Sequence, residues 1–319
     1  MNPADIFINR YGRVRSGWRF AVFLIALFTL LGVLGGIIGA IISYVPIGFS
    51  ENSLLTFALP FIILLVAAVF AGWLCGRFLE GLPFRALGCW FTRNWLKDLA
   101  LGLVFGASAM GVAALITVIF GATSFQFNQA AGQSAILLTL AVSLGIFIVG
   151  AASEEALFRG YILQTFVRAN LAWLAIALTS LFFAAGHLTN PGANYISIIN
   201  TVLAGVWFSV AYLKTRTLWL AFGLHLAWNW VQGAVLGLPV SGITELTTAP
   251  LLLPSSNGSA ILTGGDYGIE GGIACTIAVI IFTLLIWFLP IFKPTEEMLN
   301  LTDNENPKNI LLQRETLVD

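Results

Sequence analysis

Charge is what this chain has least of. Only 9% of its 319 residues are Asp, Glu, Lys or Arg, and 15 basic residues balance 15 acidic ones for a formal net charge of zero. Such a chain has no basic surface with which to hold nucleic acid, so nucleic acid is excluded as a partner. No polar stretch is long enough for a soluble domain, although 319 residues would allow about two. Cysteine is scarce as well. Cys75, Cys89 and Cys275 are odd in number and far apart, with no metal-ligand spacing, so no disulfide framework is expected. Histidine occurs only twice, at His187 and His225, and the HExxH zinc-peptidase motif is absent. The chain shows no long-period repeat.

Apolar residues fill the space that charge leaves. The chain is 58% hydrophobic with a mean hydropathy of +0.92, which is the composition of a multi-pass membrane protein. About 20 apolar residues cross a bilayer. Eight stretches qualify, near 18–45, 54–76, 98–121, 135–158, 172–190, 194–213, 217–237 and 271–292. The expected fold class is therefore all-α, a polytopic membrane helix bundle with about eight transmembrane helices and both termini cytoplasmic. The run from Trp18 to Val45 is too long for a signal-peptide core and is expected to be an uncleaved first helix. Gly32, Gly36 and Gly39 within it resemble a small-residue helix-packing face.

The basic residues orient the bundle. With the N-terminus inside, Arg10, Arg13, Arg15, Arg19, Arg77, Arg85, Arg93, Lys97, Arg159, Arg168, Lys214, Arg216, Lys293, Lys308 and Arg314 all fall on the cytoplasmic side. These are all fifteen, and the outside loops near 46–53, 122–134, 189–193 and 238–270 carry none. The expected organisation is a cytoplasmic N-terminus (1–17), two helices plus an interfacial segment (18–94), a membrane core (95–237), an extracytoplasmic loop (238–270), a last helix (271–292) and a cytoplasmic tail (293–319). Within the second unit, residues 78–96 mix Arg with Trp, Phe and Leu and read as an interfacial amphipathic helix. The loop 238–270 is rich in Gly, Ser, Thr and Pro and reads as irregular.

Ionisable groups inside apolar spans cost about 2.5–3.5 kcal/mol each on insertion scales, so they mark function by default. Three elements stand out. In Glu154-Glu155-Ala-Leu-Phe-Arg159, Glu155 and Arg159 are i,i+4 neighbours that can pair. Glu154 points about 100° away and stays free as a general base. In Phe183-Ala-Ala-Gly-His187, small residues leave room beside the imidazole. In His225-Leu-Ala-Trp-Asn229, a histidine and an amide share one helix face and can donate two hydrogen bonds to one oxyanion. Each element alone also reads as a structural feature: an interfacial cap, an interhelical hydrogen bond, a polar clamp. Depth joins them. Counting about 1.5 Å per residue from the short turns puts all three at similar height. Because Arg159 and Arg168 suggest a hairpin drawn into the cytoplasm, that height falls in the cytoplasmic half.

The ordered set EExxxR, FxxxH and HxxxN resembles the CPBP family, the CAAX proteases and bacteriocin-processing enzymes also called the Abi family. The resemblance covers roughly residues 95–235. It implies an intramembrane endopeptidase with Glu154 and His187 activating water, and His225 and Asn229 stabilising the oxyanion. Glu155, Arg159 and Phe183 would support the site. The family is usually labelled metalloprotease. Glu154, His187 and His225 have the number of ligands of a three-ligand zinc site with an open position. Asn229 is a poor zinc ligand and a good oxyanion donor, which favours the metal-free version without closing the question. The implied partners are membrane-embedded or membrane-associated peptides or proteins and the lipid bilayer itself, in a bacterial inner membrane. Two other classes stay open. One is a non-catalytic scaffold or bacteriocin-immunity factor. The other is a proton-coupled transporter using the same acids and histidines as a relay, although no inverted repeat or broken helix is evident.

Overall fold

The computed structural model describes residues 4–9, 12–44 and 54–302, and over these the chain is a helix bundle with one two-stranded sheet. After a single helical turn at Ala4–Phe7 come helices α1 (Ser16–Tyr44), α2 (Leu54–Cys75), α3 (Trp95–Ile119) and α4 (Gln133–Glu155). A π-helical turn (Ala156–Ile162) carries α4 into α5 (Leu163–Arg168). Then follow α6 (Ala172–Ala185), α7 (Tyr195–Thr215), α8 (Trp219–Trp230), α9 (Ile273–Phe288) and the short α10 (Glu296–Thr302). Arg10, the expected loop 46–53 and the tail beyond 302, with Lys308 and Arg314, lie outside the described residues.

Among the described residues, five helical stretches are long and apolar enough to cross a membrane: Ser16–Tyr44, Phe57–Glu80, Trp95–Ile119, Gln133–Arg168 and Tyr195–Thr215. The other three expected spans form shorter helices, so helix length alone does not reproduce a count of eight. Helix α6 has 14 residues, about 21 Å against a hydrocarbon core of about 30 Å. It ends at Ala185, where the chain enters turns and the His187 N–H bonds the Ala184 carbonyl. Helix α8 continues only as a π turn, Val231–Val235. Helix α9 stops at Phe288 because Leu289 is extended ahead of Pro290, whose ring disfavours helix in the residue before it.

Helix α1 buries one narrow stripe. Ser16, Arg19, Phe23 and Leu27, spaced three to four apart, face inward, and Phe23 stacks on Tyr161 at 5.4 Å. Its other faces are apolar and exposed, as at Ile25 and Phe28, which suits lipid rather than water. Among the described residues nothing packs on Gly32, Gly36 and Gly39: a Cβ at any of them would have no neighbour within 4 Å there.

The core lies between α3, α7, α8 and α9, around Met110, Trp207, Leu220, Leu224, Ala274 and Ala278. Here glycine sets the geometry. A Cβ on Gly102 would stand 2.5 Å from the Leu220 carbonyl oxygen, and one on Gly106 2.4 Å from that of Leu224. From the other side, one on Gly223 would stand 2.7 Å from the Leu99 carbonyl oxygen. Backbones therefore touch backbones where α3 crosses α8, and helix α8 carries two of the candidate site residues. Gly106→Ala is expected to push the helices apart and destabilise the fold by about 1–3 kcal/mol, the usual range for overpacking. A lower melting temperature in detergent, with Gly111→Ala (nothing within 4 Å) unchanged, checks this.

The connections sort into two ends. At one end Lys97 Nζ donates to the Ile291 carbonyl, Lys214 Nζ to the Trp287 carbonyl, and Leu218 N–H to the Gly88 carbonyl. Arg85 pairs with Glu297 there at 3.4 Å. The expected interfacial helix at 78–96 is absent. Gly81 and Gly88, both at positive φ, end a π turn and a 3-10 turn, and Pro83 separates them. The aromatic residues still cluster: Phe91 stacks on Trp219 at 5.4 Å, and Trp219 Nε1 donates to the Trp90 carbonyl. At the other end β1 (Thr123–Phe127) pairs antiparallel with β2 (Leu252–Ser256), with Thr123 opposite Ser256 and Phe127 opposite Leu252. The segment 238–270 is thus partly ordered into a strand and short helical turns, where the sequence reads as irregular.

One buried ionic cluster ties the bundle together. The Glu80 carboxylate accepts from Arg168 Nε and Nη2, each at 2.8 Å, from Arg19 Nη1 at 2.9 Å and from Thr165 Oγ1 at 3.1 Å. All three charged side chains are at most 3% exposed. Arg19 and Arg168, counted among the expected cytoplasmic charges, are buried and fix α1 and α5 to the end of α2.

Candidate active site

Helix α4 delivers Glu154 and Glu155 at its last turn. The π turn that follows adds a residue to the helical circuit, and Gly160 within it leaves helical geometry altogether (φ −69°, ψ −117°). π turns recur at functional sites. Arg159 lies in this turn, and its Nη1 still reaches Glu155 Oε1 at 3.1 Å, as the i,i+4 spacing requires. Its Nη2 donates to the Gly205 carbonyl on α7 at 3.0 Å, and its guanidinium lies 4.9 Å from the Phe183 ring and 5.1 Å from that of Phe208. Arg159 is 0% and Glu155 1% exposed.

His225 on α8 completes the chain of contacts. Its Nδ1 lies 2.9 Å from Glu155 Oε1 and its Nε2 3.7 Å from Glu154 Oε2. The ring stacks on Phe208 at 4.8 Å with an interplanar angle of 14°, which fixes its plane. Glu155 has no proton to give while paired with Arg159, so His225 Nδ1 is the donor and Nε2 faces Glu154. Glu154 is 21% exposed, unlike Glu155, and so divides from it as the helical 100° offset requires.

His187 sits two residues past the end of α6. Its Nδ1 is 2.8 Å from the Phe183 carbonyl, which can only accept, so Nδ1 carries the proton and Nε2 is the lone-pair nitrogen of the neutral ring. Phe183 packs against three of these groups: the rings of His187 (4.8 Å) and His225 (6.0 Å) and the Arg159 guanidinium.

Glu154, His187, His225 and Asn229 all line one cavity of about 260 Å³. That is room for roughly eight waters at about 30 Å³ each, or for a short peptide segment with the attacking water. The structure thus brings all four expected catalytic residues around one space, with Glu155, Arg159 and Phe183 packed behind. It does not assemble the zinc set. Among the described residues no group of three or more His, Cys, Asp or Glu side chains could hold a metal ion. Glu154, His187 and His225 therefore do not fit a resident zinc, and no step below uses one.

Sequence reasoning missed the far wall of this cavity. Glu270 lines it, and its carboxylate accepts from Trp228 Nε1 (2.9 Å), Gln232 Nε2 (3.2 Å), Ser241 N (2.6 Å) and Ser241 Oγ (3.0 Å). Asn190 and Asn200, also lining it, donate to the carbonyls of Ser241 and of Glu270 and Gly272. Tyr267 is buried beside them, and burial, reinforced by the Glu270 charge, pushes its hydroxyl up to about 12, so it stays a neutral donor. A signal existed: Glu270 is an acid in a segment with no basic residue to pair with.

Arg159 and Arg168, whose charges set the expected cytoplasmic depth, are both buried in ion pairs. The cavity is lined by Val240, Ser241, Ile243 and Leu246 of the segment 238–270, at the end away from the basic turns.

Comparison with known proteins bears on the same stretch. Residues 135–231 match the family model of the Rce1-like type II CAAX prenyl endopeptidases. The match includes Glu154, Glu155, Arg159, Phe183, His187, His225 and Asn229, and it ends before Glu270. It is narrower than the expected 95–235, leaving α3 outside. The chain is 36% identical over 94 residues to an uncharacterized 24.3 kDa protein of Escherichia coli, covering 28% of this chain and 41% of that protein. It is 27% identical over 164 residues to the uncharacterized protein YyaK of Bacillus subtilis (strain 168), covering 49% of this chain and 54% of that protein. The chain spans about half the length of these curated relatives or less. The Rce1-like region and the apolar helices together suggest a membrane protein of a CAAX-type intramembrane protease family.

Proposed function

We propose that this protein is a multi-pass intramembrane endopeptidase that hydrolyses membrane-associated proteins or peptides without a resident metal. The observation that supports it most is the continuous contact chain Arg159–Glu155–His225–Glu154 opening onto the cavity that His187 and Asn229 also line. Glu154, with His187 Nε2 as a second acceptor, takes a proton from water as its oxygen attacks the scissile carbonyl carbon. The C=O electron pair moves to oxygen and forms the tetrahedral oxyanion. Asn229 Nδ2–H and His225 Nε2–H donate to that oxygen. Since His225 Nδ1 also donates to Glu155, the ring must carry both protons at this stage; with Glu154 now neutral, Glu155 and the oxyanion balance Arg159 and His225 in charge. Collapse of the intermediate breaks the C–N bond as Glu154 returns its proton to the leaving amine.

Oxyanion donors contribute about 10²–10³ in rate. Asn229→Ala is therefore expected to lower kcat about 10²–10³-fold with little change in KM. Reconstituted protein acting on a membrane-protein extract in heavy-oxygen water gives the decisive product test. Wild type should place one heavy oxygen on each new carboxyl end, and Glu154→Gln should release no fragments. Equal release by both would exclude the mechanism.

A further inference from the structure

Among the described residues the cavity borders one end of the bundle. Its walls outside the helices are Gly186, His187 and Asn190 from the turn after α6, and Val240, Ser241, Ile243, Leu246 and Glu270 from the segment between α8 and α9. Neither the turns holding Arg77, Arg85, Arg93 and Lys293 nor the start of α3 with Lys97 contributes a lining residue. The two ends differ in charge without exception among these segments. Residues 120–134, 186–194 and 236–272 contain no Lys or Arg, and the last of them contains Glu245, Asp266 and Glu270. Lys and Arg in short loops mark the cytoplasmic side of a membrane protein. His187 lies beyond the 14-residue α6, about 21 Å of helix from the basic end.

We infer that the site works from the extracytoplasmic face and takes internal, juxtamembrane segments of membrane-anchored proteins there. This rests on the endopeptidase reading for the chemistry, and on the positive-inside rule for the side. Charge narrows the substrate further. Glu154 and Glu270 both line the cavity, no Lys or Arg among the described residues does, and the Glu270 carboxylate is held by uncharged donors. A free C-terminal carboxylate entering such a space meets like charge in a low-dielectric site. A neutral or cationic internal segment does not. A cytoplasmic C-terminal tail is therefore the wrong substrate on both counts, side and charge.

The side is tested without any substrate. In a Cys89→Ser background, Thr244→Cys places an exposed thiol between the lining residues Ile243 and Leu246, and Arg93→Cys places one at the basic end. Sealed spheroplasts are treated with a membrane-impermeant maleimide, then the same after permeabilisation. Labelling of Thr244→Cys in sealed spheroplasts, and of Arg93→Cys only after permeabilisation, is the expected result. The reverse pattern overturns the inference and leaves the endopeptidase reading intact. Mapping wild-type-dependent new termini onto membrane proteins of known topology tests the substrate class. Internal cleavages outside the cytoplasm support it, whereas cleavages in cytoplasmic segments or within the last few residues of C-termini overturn it. A lack of any wild-type-dependent termini, with the expected labelling, would remove the chemistry and keep the orientation.

Discussion

Glu154→Gln is expected to insert, fold and resist heat like the wild type, and to lose hydrolysis by at least the ~10²–10⁴-fold that a general base contributes. The substitution keeps shape and one acceptor oxygen while removing the group that takes the water proton. It should leave the fold alone because Glu154 is the partly exposed member of the pair, with its oxygen 3.7 Å from His225 and facing the cavity. Glu155 is the contrasting control. It is held by both Arg159 and His225, so Glu155→Gln disturbs two buried partners and should cost stability as well as rate. A Glu154→Gln protein with wild-type turnover would remove the base assignment.

Glu80→Ala is expected to produce the largest loss of stability, about 3–5 kcal/mol, because it strands buried charge in a low-dielectric site. Arg168 and Arg19 would remain, at 3% and 0% exposure, without the carboxylate that binds both. The ends of α2 and α5 would lose their link to α1, and low yield with early thermal aggregation is the expected readout. The comparison that isolates the cause is Arg19→Met/Glu80→Met/Arg168→Met. Replacing a whole buried ionic cluster by apolar groups is often neutral or stabilising, whereas removing one partner is not. The triple variant should therefore melt above Glu80→Ala. If it melts below, packing by the long side chains matters more than charge balance.

What could be read from the sequence was local. The Glu155–Arg159 pair follows from i,i+4 spacing, and the structure shows it despite the π turn between them. The gathering of Glu154, His187, His225 and Asn229 around one cavity follows from their offsets to the short turns. What could not be read depends on distant partners. Arg168 looks the same in sequence whether solvated or buried, and its partner Glu80 is 88 positions away. Its charge set the expected cytoplasmic depth of the site, whereas the cavity is lined by Val240, Ser241, Ile243 and Leu246 of the segment 238–270. Glu270 lies in a Gly-rich segment with no periodicity, so nothing local points it at Trp228 and Ser241. Hydropathy marks where the chain can be apolar, not where it stays helical. The spans at 172–190 and 271–292 overran helices that end at Ala185 and Phe288.

The most direct measurement compares new peptide termini in membranes of cells producing wild type or Glu154→Gln at matched levels. Termini that depend on wild type, recurring at a shared local sequence in membrane-anchored proteins, are the expected result. Identical terminus profiles across well-sampled membrane proteomes would contradict the endopeptidase reading and leave the same cavity to a scaffold or transport role.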